Sequence, residues 1–206
     1  MGLPPSGMRA QFAHGFLGGE SLQLFRFLLS TAPVRGGITM SSLLALSVSI
    51  GGLGAVATWL ALGPLSGIML IWAAFIGWGC YFAAGGNADA LKATITCGVF
   101  GAICAWVAAL LILNVDIGAL TAPIWVGVTV LILVYASQVE ALATIPASVY
   151  GYASSFAYML HANALNEMSV MAVSFDNPLV IISVSIAIGA AFGALSSRLA
   201  GMLGSD

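Results

Sequence analysis

Five stretches of this chain carry no Asp, Glu, Lys or Arg: residues 36–88, 93–115, 117–139, 141–166 and 177–197. A helix needs roughly 20 apolar residues to cross the hydrocarbon core of a bilayer. Four of the runs therefore match one span each, and the first has room for two. In lipid every backbone N–H and C=O must be satisfied within the protein, which admits helices and closed barrels. The runs lack the polar and apolar alternation of a barrel strand. The expected fold class is all-α, a polytopic integral membrane protein with six transmembrane helices at about 40–62, 65–84, 91–113, 120–138, 141–160 and 179–201. Pro64 then stands at the start of the second helix and Pro146 near the start of the fifth, where a missing N–H costs least.

Composition points the same way. Hydrophobic residues make up 61% of the chain and charged residues 6%, against about 25% charged in a soluble domain, too few to solvate a surface. The net charge of −2 implies no partner. The five Lys and Arg form no stripe, which excludes a nucleic-acid partner. Cys80, Cys97 and Cys104 are an odd set inside apolar segments, and read as small packing residues rather than a disulfide framework.

With the N-terminus inside, Arg9, Arg26, Arg35, Lys92 and Arg198 all fall on the inner side. The outer loops keep Asp116, Glu167 and Asp176 and no basic residue, the asymmetry that the positive-inside rule describes. Both termini are thus expected to be cytoplasmic. Residues 1–39 form an N-terminal cytoplasmic extension with three of the five basic residues. No cleavable signal peptide is expected, because the first apolar run is a full span with no small-residue cleavage site before it. Residues 20–32 could lie on the membrane as an amphipathic helix with Arg26 at its polar edge. The alternatives are a loosely ordered extension, or a chain whose functional beginning is Met40.

The segments "FIGWGCYFA" (75–83) and "VYGYASSFA" (149–157) share a Gly, then an aromatic, two small residues and Phe-Ala. They fall on the second and fifth helices, which run in opposite directions in this topology. A 3+3 inverted repeat is one reading, an arrangement that places solute sites at the repeat interface. Chance similarity in a Gly- and Ala-rich chain is the other.

No helix has an ionisable group near its centre, which disfavours transport by a buried carboxylate relay. Small residues remain. Gly51, Gly189, Gly193 and Ser197 read first as helix-packing faces of the small-xxx-small kind. As a functional alternative, glycines thin the wall of a narrow polar path along which Thr94, Thr96, Ser148, Ser154 and Ser155 hydrogen-bond a neutral solute. Trp59, Trp125 and Tyr158 fit an interfacial belt. Trp72, Trp78, Trp106, Tyr150, Tyr152 and Phe156 sit deeper, where an indole or phenol needs a polar partner. With Gly77 and Gly151 they are the candidate pore or constriction, and core packing is the competing role.

The outer residues His161, Asn163 and Glu167 make a solvated vestibule. One histidine without ligand spacing gives no metal site, and no cofactor is expected. There is no G-x-S-x-G, H-E-x-x-H or Walker A sequence, so the chain is not expected to be an enzyme.

The stretch from Met40, with "GGLGAVATWLALGPLSGIMLIWAAFIGWGCYFAAGG", "TCGVFGAICAWVAALL" and "IPASVYGYASSFA", resembles the YcdZ-like family of small bacterial inner-membrane proteins, a domain of unknown function. The likeness covers residues 40–203 and rests on the Trp/Gly pattern and segment order, and residues 1–39 depart from it. It implies a multi-pass location in the bacterial inner membrane and carries over no activity or functional residue. The function expected is a passive channel or facilitator for a small neutral solute such as an amide, a urea-like molecule or a polyol. The alternative is a non-transporting membrane protein that binds a partner or acts as an assembly subunit. The expected partners are lipid, a small neutral solute and a second copy of the chain.

Overall fold

The computed structural model describes residues 40–204, so the extension 1–39 and the helix expected at 20–32 lie outside the described residues. Within them the chain is all-helical. The α-helices are α1 (Ser42–Leu62), α2 (Ile71–Ala83), α3 (Ala88–Asn114), α4 (Thr121–Tyr135), α5 (Ile145–His161), the single-turn α6 (Glu167–Val170) and α7 (Pro178–Leu203). Short 3-10 turns extend α4 at both ends, and four stretches are long and apolar enough to cross a membrane: Ser42–Leu62, Ala88–Asn114, Gly118–Gln138 and Pro178–Leu203.

Capping chemistry fixes most of the starts. Ser41 Oγ accepts from the Leu44 N–H, Asn87 Oδ1 from Ala90 and Asn177 Oδ1 from Leu179, each satisfying one of the orphan donors of a first turn. Three helices begin differently: α4 continues from the 3-10 turn Gly118–Leu120 without a side-chain cap. Neither Leu70 before α2 nor Thr144 before α5 supplies a side-chain cap. The Leu70 N–H instead donates to Ser185 Oγ on α7 at 2.9 Å.

The second helix is shorter than the 65–84 expected, and Pro64 lies outside it. Residues 63–70 turn at Gly63 and at Gly67, whose φ of 79° favours glycine, and α2 starts at Ile71. Its 13 residues span about 20 Å, well short of the roughly 30 Å hydrocarbon core. The fifth helix starts at Ile145 rather than 141, after the 3-10 turn Glu140–Leu142, and has 17 residues.

Helix α3 lies along α5, and α2 lies along α7, in the two most extensive pairings; α3 and α7 also cross each other. Helix α1 packs on α7 and α4 packs on α3, while the sequence neighbours α1 and α2 barely touch, nor do α4 and α5. The closest approaches are made at glycines. A Cβ on Gly189 would run into the Ala74 carbonyl, and one on Gly77 into that of Ile186. On the other pair, a Cβ on Gly101 would strike the Ser148 carbonyl and one on Gly151 that of Gly98.

Two larger cores result. One gathers Ala57, Ala61, Met69, Ala74 and Trp78, and the other includes Cys104, Ala105, Ala108, Leu133, Tyr152 and Met159. Large apolar side chains such as Leu43, Val48, Val56 and Trp59 on α1 and Ile124, Leu131 and Ile132 on α4 point outward. Apolar residues all round a helix are what contact with lipid on one side and protein on the other produces.

Candidate functional site

Helices α2 and α5 face one another across a groove of about 490 Å³. On α2 it is lined by Trp72, Ile76 and Cys80, and on α5 by Tyr150, Ser154 and Ala157. Trp72 and Tyr150 are more than a third exposed, whereas Cys80 and Ser154 are buried. The polar content is small. Thr94 Oγ1 on α3 donates to Cys80 Sγ at 3.6 Å, and the Ser154 hydroxyl has no hydrogen-bond partner among the described residues. No charged side chain lines the groove.

Of the residues expected to form a pore, Trp72, Tyr150 and Ser154 are brought together here. The other aromatics are used elsewhere. Trp78 Nε1 donates to Ser196 Oγ at 3.1 Å, and its ring packs against Phe75 and Phe192. Tyr152 shares a 2.9 Å hydrogen bond with Thr129 of α4 and packs on Phe156, ring centroids 5.1 Å apart. Trp106 Nε1 donates to the Val170 carbonyl at 2.7 Å, tying α3 to α6. Each indole or phenol has the partner its burial demands, but the rings sit in separate clusters and line no common passage.

The hydroxyls divide as well. Ser155 Oγ donates to the Gly151 carbonyl, so it is satisfied inside its own helix. Ser148 is buried without a partner among the described residues, at the α3 crossing set by Gly101. Thr94 reaches the groove only through Cys80, and Thr96 is half-buried. Among the packing candidates, Gly189 and Gly193 meet α2, at Ala74 and the Tyr81 ring, while nothing lies within 4 Å of a Cβ on Gly51. Ser196, not Ser197, is the buried serine of that turn: it accepts from Trp78 and donates to the Gly193 carbonyl.

His161, Asn163 and Glu167 are exposed in the α5 to α7 connection. Asn166 caps α6 and Asn177 holds the segment together, its amide donating to the Val170 and Ala172 carbonyls. Across the same end of the bundle, the Asp116 carboxylate accepts from Thr121 Oγ1 and the Gly118 N–H at 2.8 Å each. These bonds hold its pKa below the usual carboxylate value, the Thr121 hydroxyl being the larger cause.

Sequence reasoning missed Phe75, Ile76, Gly79, Cys80, Ala83, Ala153 and Ala157 as groove residues. Apart from Phe75, their signal was present: Ile76, Gly79, Cys80 and Ala83 on α2, and Tyr150, Ala153, Ser154 and Ala157 on α5, follow one helical stripe of i, i+3, i+4 and i+7 spacing. No curated protein and no solved structure matches the chain. Residues 47–201 match DUF1097, a family described as protein of unknown function, and with three quarters of its length inside that match the chain belongs to this family.

Proposed function

We propose that this protein is a multi-pass membrane protein that lets a small uncharged solute cross passively, and that it is built as two inverted three-helix halves. The carrying observation is that α2 and α5, which apart from the single-turn α6 are the helices left out of the four stretches long and apolar enough to cross a membrane, face each other across the groove; in the proposed halves they occupy corresponding places. Short or interrupted helices so placed are the best pointer to a solute site in a repeat-built transporter.

The correspondence extends to single residues. Ile76 and Tyr150, Gly79 and Ala153, Cys80 and Ser154, and Ala83 and Ala157 all line the groove, and each pair is separated by the same interval in the chain. That interval also relates Gly77 to Gly151, Ala74 to Ser148, and the starting residues Leu70 and Thr144. A second constant interval relates Gly101 to Gly189 and Gly98 to Ile186 on α3 and α7. Exchanging α1, α2, α3 with α4, α5, α7 turns the α2–α7 pairing into α5–α3 and the α1–α7 pairing into α4–α3, and both members of each exchange exist.

Six spans with both termini cytoplasmic fit the charges. Arg198 lies beside Ala88 and Leu91, in the first turns of α3 that also carry Lys92, and Asp116, Glu167 and Asp176 lie at the other end of the bundle. The Trp/Gly pattern and segment order favour a YcdZ-like protein of the bacterial inner membrane. The competing reading is a non-transporting subunit that uses the same open groove to bind a partner; the groove's apolar lining favours it.

The test is stopped-flow light scattering on proteoliposomes with urea, acetamide and glycerol against empty liposomes. Faster permeation of one solute, abolished by Ala153→Trp on the exposed side of the groove, supports the path. Permeation indistinguishable from empty liposomes for all three, with inserted protein verified, removes the path for the solutes of this panel and favours partner binding.

A further inference from the structure

The polarity of the groove specifies its ligand more narrowly than the bare word neutral. Its wall is mainly apolar, with the Trp72 indole and Tyr150 phenol on its exposed side and Cys80 and Ser154 buried at the middle of the two stripes. The Cys80 thiol is already engaged by Thr94. Ser154, 1% exposed, has a hydroxyl with no partner among the described residues. Its chain neighbour Ser155 donates to the carbonyl four residues back, as do Ser49 and Ser185; Ser148 and Ser183 share the lack of a partner but do not line the groove. A buried hydroxyl without a partner carries a desolvation cost that a ligand's polar group can relieve.

We infer that the α2/α5 groove binds an uncharged, mainly apolar molecule with a single hydrogen-bonding group, of the phenol or short-chain alcohol class, seated with that group on Ser154. The inference rests on the reading of this groove as the solute site and narrows it. Urea and glycerol carry several donors and acceptors, and a wall whose one buried unpaired hydroxyl is that of Ser154 would leave most of them desolvated and unpaired. A lipid acyl chain fills apolar space but leaves Ser154 as it was. An aromatic or short alkyl body fits the sides made by Trp72, Ile76 and Tyr150, and rings gain from stacking on rings.

The experiment is ligand-observed saturation-transfer NMR on the full chain in lipid nanodiscs, with phenol, toluene and glycerol as probes and empty nanodiscs as the background. Phenol is expected to bind about fivefold more tightly than toluene, the ratio one hydrogen bond provides, and glycerol not at all. Ser154→Ala should bring phenol to the toluene level and leave toluene unchanged, and Ala157→Trp, on an exposed position, should exclude both. Equal binding of phenol and toluene to the unaltered protein overturns the inference and makes the groove a slot for acyl chains. Binding that survives Ala157→Trp overturns it by placing the probes elsewhere. A dimer in native mass spectrometry that Ala157→Trp splits also overturns it, because the groove is then an interface between copies. The comparison of phenol with toluene needs no variant, so a misfolded Ser154→Ala protein does not suspend the test. Binding is read without a gradient: absent permeation with this binding pattern removes the path alone, and permeation without the pattern removes this ligand class alone.

Discussion

Glycine side chains are absent where two backbones meet, and the four closest meetings decide how these helices can pack. At Gly101 and Gly189 the space a Cβ would take is filled by a carbonyl of the facing helix, which cannot move without shifting the whole element. Gly101→Ala or Gly189→Ala is therefore expected to cost about 3 kcal/mol, at the upper end of overpacking, read as a fall in thermal midpoint in detergent. Gly51→Ala, with open space around it, should instead gain about 0.5 kcal/mol from lower backbone entropy. Asp116 gives a pH-dependent counterpart. Its pKa is lowered in the folded chain by Thr121 and Gly118, so its turn is stabilised at all pH values above the unfolded carboxylate pKa, near 3.9. That stabilisation is lost as pH falls through the lowered native value. The Gly118 amide resonance should hold steady from pH 7 to about 4 and shift only in stronger acid, and Thr121→Val should move the transition upward. Residue-scale demands were legible where the chemistry is local: a buried Trp78 or Tyr152 required a polar partner. Ser196 and Thr129 as those partners were not, because 118 and 23 residues respectively separate the pairs.

At the scale of elements, apolar runs located all six long segments, yet they overextended α2. Residues 65–70 are as apolar as the helix that follows, and hydropathy has no means of separating an apolar turn from a helix. What ends the turn and starts the helix is tertiary: the Leu70 N–H finds Ser185. Asn177 followed by Pro178, by contrast, is a helix-start signal legible in the sequence alone, and α7 begins there. Ser185→Ala should leave the Leu70 N–H without its acceptor, cost about 1–2 kcal/mol, and speed amide exchange at Leu70 and Ile71 before the rest of α2. Ser183, two residues away with a hydroxyl that has no partner among the described residues, is the control. Its replacement by Ala should not lower stability or speed exchange at Leu70, and equal effects from both serines would refute a specific role for the Ser185 contact.

For the whole molecule, the inverted arrangement makes a prediction that no single helix makes. In the proposed arrangement the connection before α2 and the connection before α5 hold corresponding places in the two halves. If the halves are inverted, the two connections open to opposite sides of the membrane. Ser66 and Gln138, both exposed, mark them. In a chain whose three cysteines, Cys80, Cys97 and Cys104, have been replaced by alanine, Ser66→Cys should react with a membrane-impermeant maleimide added to intact cells. Gln138→Cys should react only after the membrane is opened. The segment matches at 75–83 and 149–157 suggested such an architecture from the sequence, but the strongest correspondence lies in the glycine crossings of α3 and α7, where different side chains hide it: Gly98 answers to Ile186. Labelling of both cysteines from the same side would leave those crossings as two independent solutions to close helix packing, and would remove the basis for a solute site between α2 and α5.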